Sequence, residues 1–117
     1  MSSLFDALLY QSMEAKWGAG NFYNFARSAF DRARAHTAVW NGDSHADFEG
    51  LRYSVASAVR AGLVLFSQWG SDTGGYVRGA DEPSEELWAR WMQFSAFSPM
   101  YEVMVGTGRT QIGRAHV

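Results

Sequence analysis

Three polar residues could do chemistry together: Arg27, Asp43 and Asp72. Each is the first charged residue after an apolar-rich stretch. Arg27 closes F-Y-N-F-A-R, Asp43 closes T-A-V-W-N-G-D, and Asp72 closes L-V-L-F-S-Q-W-G-S-D. A carboxyl group can donate and accept a proton, and a second carboxylate with an arginine can hold hydroxyl groups by charge-assisted hydrogen bonds. Trp40 and Trp69 stand just before the turns that carry the two aspartates, where an indole can stack on the apolar face of a sugar ring. Each residue also has an ordinary reading. N-G-D and D-T-G-G form turns, Arg27 suits a solvated surface, and the tryptophans suit a core. His36, His45 and His116 show no metal-ligand spacing, and no phosphate-cradling glycine loop or nucleophile elbow is present.

The elements that must position these residues follow from periodicity. Phe5, Leu9, Met13 and Trp17 recur every four residues, which predicts a helix over 4–17 with that stripe buried, ended by Gly18 and Gly20. Residues 22–26 and 37–40 read as short strands joined by a polar connection at 28–35. A helix is expected over 44–61, with Ser44 and Asp47 as a capping box, Phe48, Leu51, Val55, Ala58 and Val59 buried, and Gly62 as the stop. The continuous apolar run 63–69 reads as a strand buried on both faces. Ser84 caps a further helix with Glu85 and Glu86 in its first turn and Leu87, Trp91 and Phe94 on its apolar face. Residues 97–105 are expected to return as a last strand.

Short buried strands alternating with helices make an α/β fold with a parallel sheet and crossover helices. Chemistry in such folds sits at the C-terminal strand ends, which is where Arg27, Asp43 and Asp72 fall. The chain's 117 residues suffice for one small domain. Apolar residues make up 47% and the formal charge is −2, which favours a packed core and makes nucleic acid and anionic membrane poor partners. Cysteine is absent, which excludes disulfides and thiolate chemistry and leans toward a reducing compartment such as the cytoplasm. No secretory signal and no membrane-spanning apolar run is visible.

Four landmarks in order resemble glycoside hydrolase family 31, the α-glucosidases and α-xylosidases. A-R-S at 26–28 resembles the family's substrate-contacting arginine after the fifth barrel strand. W-N-G-D at 40–43 resembles the W-x-G-D of the general acid/base. D-T-G-G-Y at 72–76 resembles the sugar-binding D-I-G-G-F after the seventh strand. E-L-W-A-R-W-M-Q-F-S-A-F-S-P at 86–99 resembles the segment entering the eighth. The resemblance implies a partial (β/α)8 TIM barrel, roughly strand–helix units five to eight. It makes Asp43 the general acid/base of a retaining α-glycosidase, with Arg27, Asp72, Trp40 and Trp69 at the substrate and no cofactor or metal. To act as acid, Asp43 must hold its proton at the first step, which asks for apolar surroundings and a neighbouring negative charge. The family's arginine and histidine after F-S-P are replaced by Glu102 and Met104, and Thr73 and Tyr76 stand for Ile and Phe.

A D-T-G triplet also occurs in aspartic proteases, but those are nearly all-β and three helices are expected here. The nucleophilic aspartate belongs after a fourth strand, upstream of residue 1. Met1 is then expected to be internal, and the N-terminal barrel half a missing partner. I-G-R-A-H-V at 112–117 resembles the translation of a common sequencing adapter. Residues 1–111 are therefore the expected barrel fragment, with 112–117 a non-native tail. A non-catalytic carbohydrate-binding or scaffold module is the competing reading. Within the enzyme reading, α-glucoside, α-xyloside, α-galactoside or transfer to a sugar acceptor stay open.

Overall fold

A computed structural model describes residues 2–79 and 82–103. Helix α1 (Ser2–Trp17) leads to strand β1 (Phe25–Ala26), a 3-10 turn (Asp31–Ala35) and β2 (Ala38–Asn41). Helix α2 (Phe48–Leu63), β3 (Trp69–Ser71) and α3 (Glu85–Ser95) follow. The strands form one parallel sheet in the order β1-β2-β3. An α/β fold with a parallel sheet and helical crossovers is therefore present. No helix among the described residues is long and apolar enough to cross a membrane.

Register decides which side chains meet. Val39 pairs with Trp69 and Asn41 with Ser71, whereas Trp40 pairs with Gly70. Strand side chains alternate between faces. The Val39, Asn41, Trp69 and Ser71 face turns toward the helices. Asn41 Nδ2 donates to Ser44 Oγ at 2.9 Å and to Ser54 Oγ of α2 at 3.3 Å. The Trp91 indole N–H of α3 donates to Ser71 Oγ at 3.1 Å, and Trp69 lies 6.2 Å from the Phe94 ring. Trp91 and Leu87 are the buried anchors of α3. The opposite face carries Trp40, with its ring 4.3 Å from Phe25.

Several elements differ from expectation, each for a physical reason. The first strand holds only Phe25–Ala26, and the polar connection after it winds into the 3-10 turn around fully buried Ala33. Helix α2 starts at Phe48 because Asp47, not Ser44, caps it: Asp47 Oδ1 accepts from the Gly50 amide at 2.7 Å. Ser44 is instead buried against Asn41 and Ser54. The helix passes Gly62 to Leu63, and the left-handed residue beyond it is Leu65 (φ 65). The run 63–69 is consequently not a strand until Trp69, and Leu63, Val64 and Leu65 are exposed.

Burial on two helices also falls on other faces. Helix α1 packs on the 3-10 turn; its Asp6 is buried, and its Tyr10 ring meets Phe22 and His36 beside that turn. Phe5, Leu9 and Trp17 are exposed. On α2 the buried positions are Gly50 and Ser54, while Phe48, Val55 and Val59 are exposed. Periodicity finds the face that wants cover, but on α2 the sheet covers a different, small-residue face. Of the expected last strand, among the described residues Glu102 forms a parallel bridge to Asp72, the Met100 amide donates to the Trp69 carbonyl, and Phe97 is exposed. Residues 104–105 of that strand, Met104 and the 112–117 tail lie outside the described residues.

Candidate active site

The three strands end at Ala26, Asn41 and Ser71, so Arg27, Asp43 and Asp72 emerge side by side at the C-terminal edge of the sheet. A guanidinium nitrogen of Arg27 lies 2.5 Å from Asp43 Oδ2. The Asp43 amide donates to Asp72 Oδ2 at 2.9 Å. One residue thus joins both neighbours, through its carboxylate on one side and its backbone on the other. Asp43 has φ 58, a left-handed conformation that aspartate tolerates better than most side chains.

The loop after β3 is fastened to the loop after β2. Tyr76 and Val77 amides both donate to the Ser44 carbonyl, and the Ala46 amide donates to Val77. The double glycine makes this possible. Gly75 has φ 80, and a Cβ there would collide with the Ala46 backbone. Gly74 has φ 86 and lies against the Trp88 ring. From below, the Thr73 hydroxyl bonds Ser95 Oγ of α3 at 2.8 Å in a buried setting. Threonine in place of the usual isoleucine therefore carries a specific contact, and neither Thr73 nor Ser95 stands out in the sequence.

Exposure separates the roles. Arg27 and Asp43 are about half exposed, at 59% and 47% of their side-chain surface, so their ion pair adds little to stability. Asp43's hydrogen bond, and then its charge, push the Arg27 guanidinium above its ordinary range. Asp72 is buried, with 1% exposed. Burial pushes its carboxyl up, as does the Asp43 charge, while the Asp43 amide, Arg27 and the Trp40 side chain pull the other way. Its Oδ1 has no partner among the described residues.

Trp40 shares the inner face with Asp72 and lies under Arg27, 6.0 Å from ring centre to guanidinium carbon. Trp69 lies on the opposite face of the sheet from Trp40, is 6% exposed and packs toward Phe94 of α3. It also lines a cleft that Arg27, Trp40, Ala61 and Phe66 share. Beside Asp43, a cleft of about 460 Å³ is lined by Ser44, His45, Asp47, Glu49 and Tyr53 among others. No cluster of metal-binding side chains occurs among the described residues.

Glu102 completes the inner edge. Directly paired residues on neighbouring strands point to the same face, so the bridge places Glu102 beside Asp72. Burial, followed by the Asp72 charge, pushes its carboxyl from 4.5 up to about 7. Between those values the folded chain holds a proton that the unfolded chain has lost. Stability should therefore fall as pH rises from about 4.5 to about 7 and level off above, by roughly 1–3 kcal/mol from this group. Denaturant titrations at several pH values should show Glu102→Gln losing that slope.

The sequence matches the glycosyl hydrolases family 31 TIM-barrel domain over residues 2–111. Neutral alpha-glucosidase AB of Homo sapiens is 34% identical over 88 residues, covering 74% of this chain and 9% of that protein. Alpha-xylosidase of Emericella nidulans is 30% identical over 95 residues, covering 81% and 12%. The crystal structure of a family 31 alpha-xylosidase from a soil metagenome, complexed with xylose, superposes with a TM-score of 0.79 at 26% identity. That match covers 97% of this chain and 17% of the other. The chain thus spans between 9% and 12% of the length of these two named relatives. With the family profile running over nearly the whole sequence, and with parallel strands that deliver an arginine and two aspartates to one edge, this chain belongs to glycosyl hydrolase family 31 and falls within its TIM-barrel domain.

Proposed function

We propose that the chain is part of a retaining α-glycosidase acting on an α-glucoside or α-xyloside, and that it carries the general acid/base. The observation that supports this best is the linked row Arg27–Asp43–Asp72 at three adjacent strand ends, with one exposed carboxylate and one buried carboxylate. Retaining hydrolysis needs one carboxyl to attack the anomeric carbon and another to protonate the leaving oxygen and then deprotonate water. Asp43 takes the second role, since its carboxylate reaches solvent and borders an open cleft. Asp72 Oδ1 and Arg27 receive sugar hydroxyls, and Trp40 lies on the same inner face. Trp69 is left out of the sugar contacts because it faces α3.

The nucleophile lies outside these residues in this reading. Residues 1–111 correspond to strand–helix units five to eight, and 112–117 are a non-native tail. A TIM barrel closes with eight strands and usually needs about 250 residues. Among the described residues β1 has a strand neighbour on one side only, and β3 is met on its outer side just by the segment around Met100 and Glu102, while Phe5, Leu9, Val55 and Val59 stand exposed on helices that a complete barrel would flank. A longer gene read continuing the family pattern past Gln111 supports the boundary, and uninterrupted coding sequence for the same six residues refutes it.

The reaction itself is tested by proton NMR on the complete protein. The first sugar released from an α-glucoside or α-xyloside should be the α-anomer. Release of the β-anomer, or no cleavage at all, would sink the proposal. The isolated 117 residues should show no hydrolysis and should self-associate through the open edges. The family relatives include the 1,6-alpha-glucosyltransferase of Sporosarcina globispora, so transfer to a sugar acceptor is a second outcome that the same assay, run with added acceptor, would reveal.

A further inference from the structure

We infer that Glu102 is a specificity-determining contact, pairing with Asp72 to take two neighbouring hydroxyls of the bound sugar. This rests on the glycosidase reading and adds a residue to its sugar subsite. Three observations carry it. Glu102 and Asp72 are partners in an isolated parallel bridge just past β3, so their side chains share the face that carries Trp40. Asp72 is 1% exposed and keeps Oδ1 without a donor among the described residues. Glu102 likewise holds a buried oxygen, Oε1, with no partner there.

Two buried acceptors left unmet side by side are costly unless something supplies hydrogen bonds. The charges around them do not: Arg27 is engaged by Asp43, and Asp43 adds negative charge of its own next to Asp72. Tyr76 is the other titratable group at this edge that acts on Arg27. The pair therefore suits a neutral ligand rich in O–H donors and acceptors. Ionised Asp72 accepts from one hydroxyl at Oδ1. Glu102, held protonated by burial beside Asp72, donates its O–H to the next hydroxyl and can accept at Oε1. A carboxylic acid kept neutral in this way reads a hydroxyl's lone pair, which a second carboxylate could not.

The geometry has a directional consequence. When Glu102 loses its proton, the donor disappears and a second negative charge faces Asp72. Sugar affinity should then fall as pH rises through the neutral range. Glutamine at 102 keeps a donor and an acceptor with no proton to lose.

The test uses the complete protein and titrates methyl α-glucoside and methyl α-xyloside calorimetrically at pH 5.5 and 8.5. The unmodified protein should bind about tenfold more weakly at the higher pH. Glu102→Gln should bind comparably at pH 5.5 and lose most of that pH dependence. Glu102→Ala should bind about tenfold more weakly at pH 5.5, and a ligand lacking the contacted hydroxyl should show no further loss with it. An unchanged pH slope in Glu102→Gln, or unchanged affinity in Glu102→Ala, overturns the inference and leaves the glycosidase reading standing. If the unmodified protein neither binds nor cleaves either glycoside, both fall together.

Discussion

Asp43→Asn in the complete protein should reduce turnover of an unactivated α-glycoside by roughly a thousandfold or more. Asparagine keeps the amide that bonds Asp72 and tolerates the left-handed backbone at this position, so the fold should survive. What disappears is the proton. Cleavage of an aryl glycoside with a good leaving group needs no acid assistance in its first step, so that step should slow far less. Steady-state kinetics on both substrate types, with a pre-steady-state burst measured for the aryl glycoside, separate the two steps. Equal losses on both substrates would mean that residue 43 acts through structure, and unchanged activity on the unactivated glycoside would remove it from the mechanism.

Asp72→Ala should be about as damaging, for a different reason. Asp72 Oδ2 receives the Asp43 amide, and in the proposed mechanism Oδ1 receives a sugar hydroxyl. Alanine deletes both at once. The sugar loses a charge-assisted hydrogen bond, and the Asp43 loop loses its anchor. The expected fall in kcat/KM is of order 10²–10⁴, with KM and kcat both affected. Asp72→Asn retains an acceptor for the amide and should lose roughly a tenth to a hundredth as much. A double variant with Asp43→Asn tests the linkage: if the aspartates act as one unit, the second change adds little to the first. Full additivity would show that Asp72 binds sugar without positioning Asp43.

The site was more legible in the sequence than the elements that hold it. Arg27, Asp43 and Asp72 could be placed at strand ends because each is the first charged residue after an apolar-rich run, and the structure puts them at one edge. Strand limits were harder. Leu63 to Phe66 are as apolar as any buried strand, yet α2 and its turn at Leu65 occupy that length, so pairing begins only at Trp69. Hydropathy reports preference for burial, while register decides which residue meets which. The same limit hid the direction in which Trp69 points. Its position before a turn matched that of Trp40, but the two fall on opposite faces of the sheet. Glu102 was visible only as a departure from the family pattern, since a bridge between residues thirty positions apart leaves no local mark. Ser54 and Thr73 read as ordinary helix and loop residues, and their buried hydroxyl contacts emerge only from packing.

The anchor of residue 43 is its amide and not its carboxylate. In a reaction that would give up and regain that carboxyl's proton every cycle, this decouples alignment from ionisation: the group can change charge without the frame having to follow. It also makes position 43 a place where the chain works against itself. Glycine there would keep the amide bond, shed the strain of φ 58 and surrender only an exposed ion pair. Asp43→Gly should therefore be slightly harder to unfold than the unmodified protein and catalytically silent, the signature of a side chain retained against the interest of the fold.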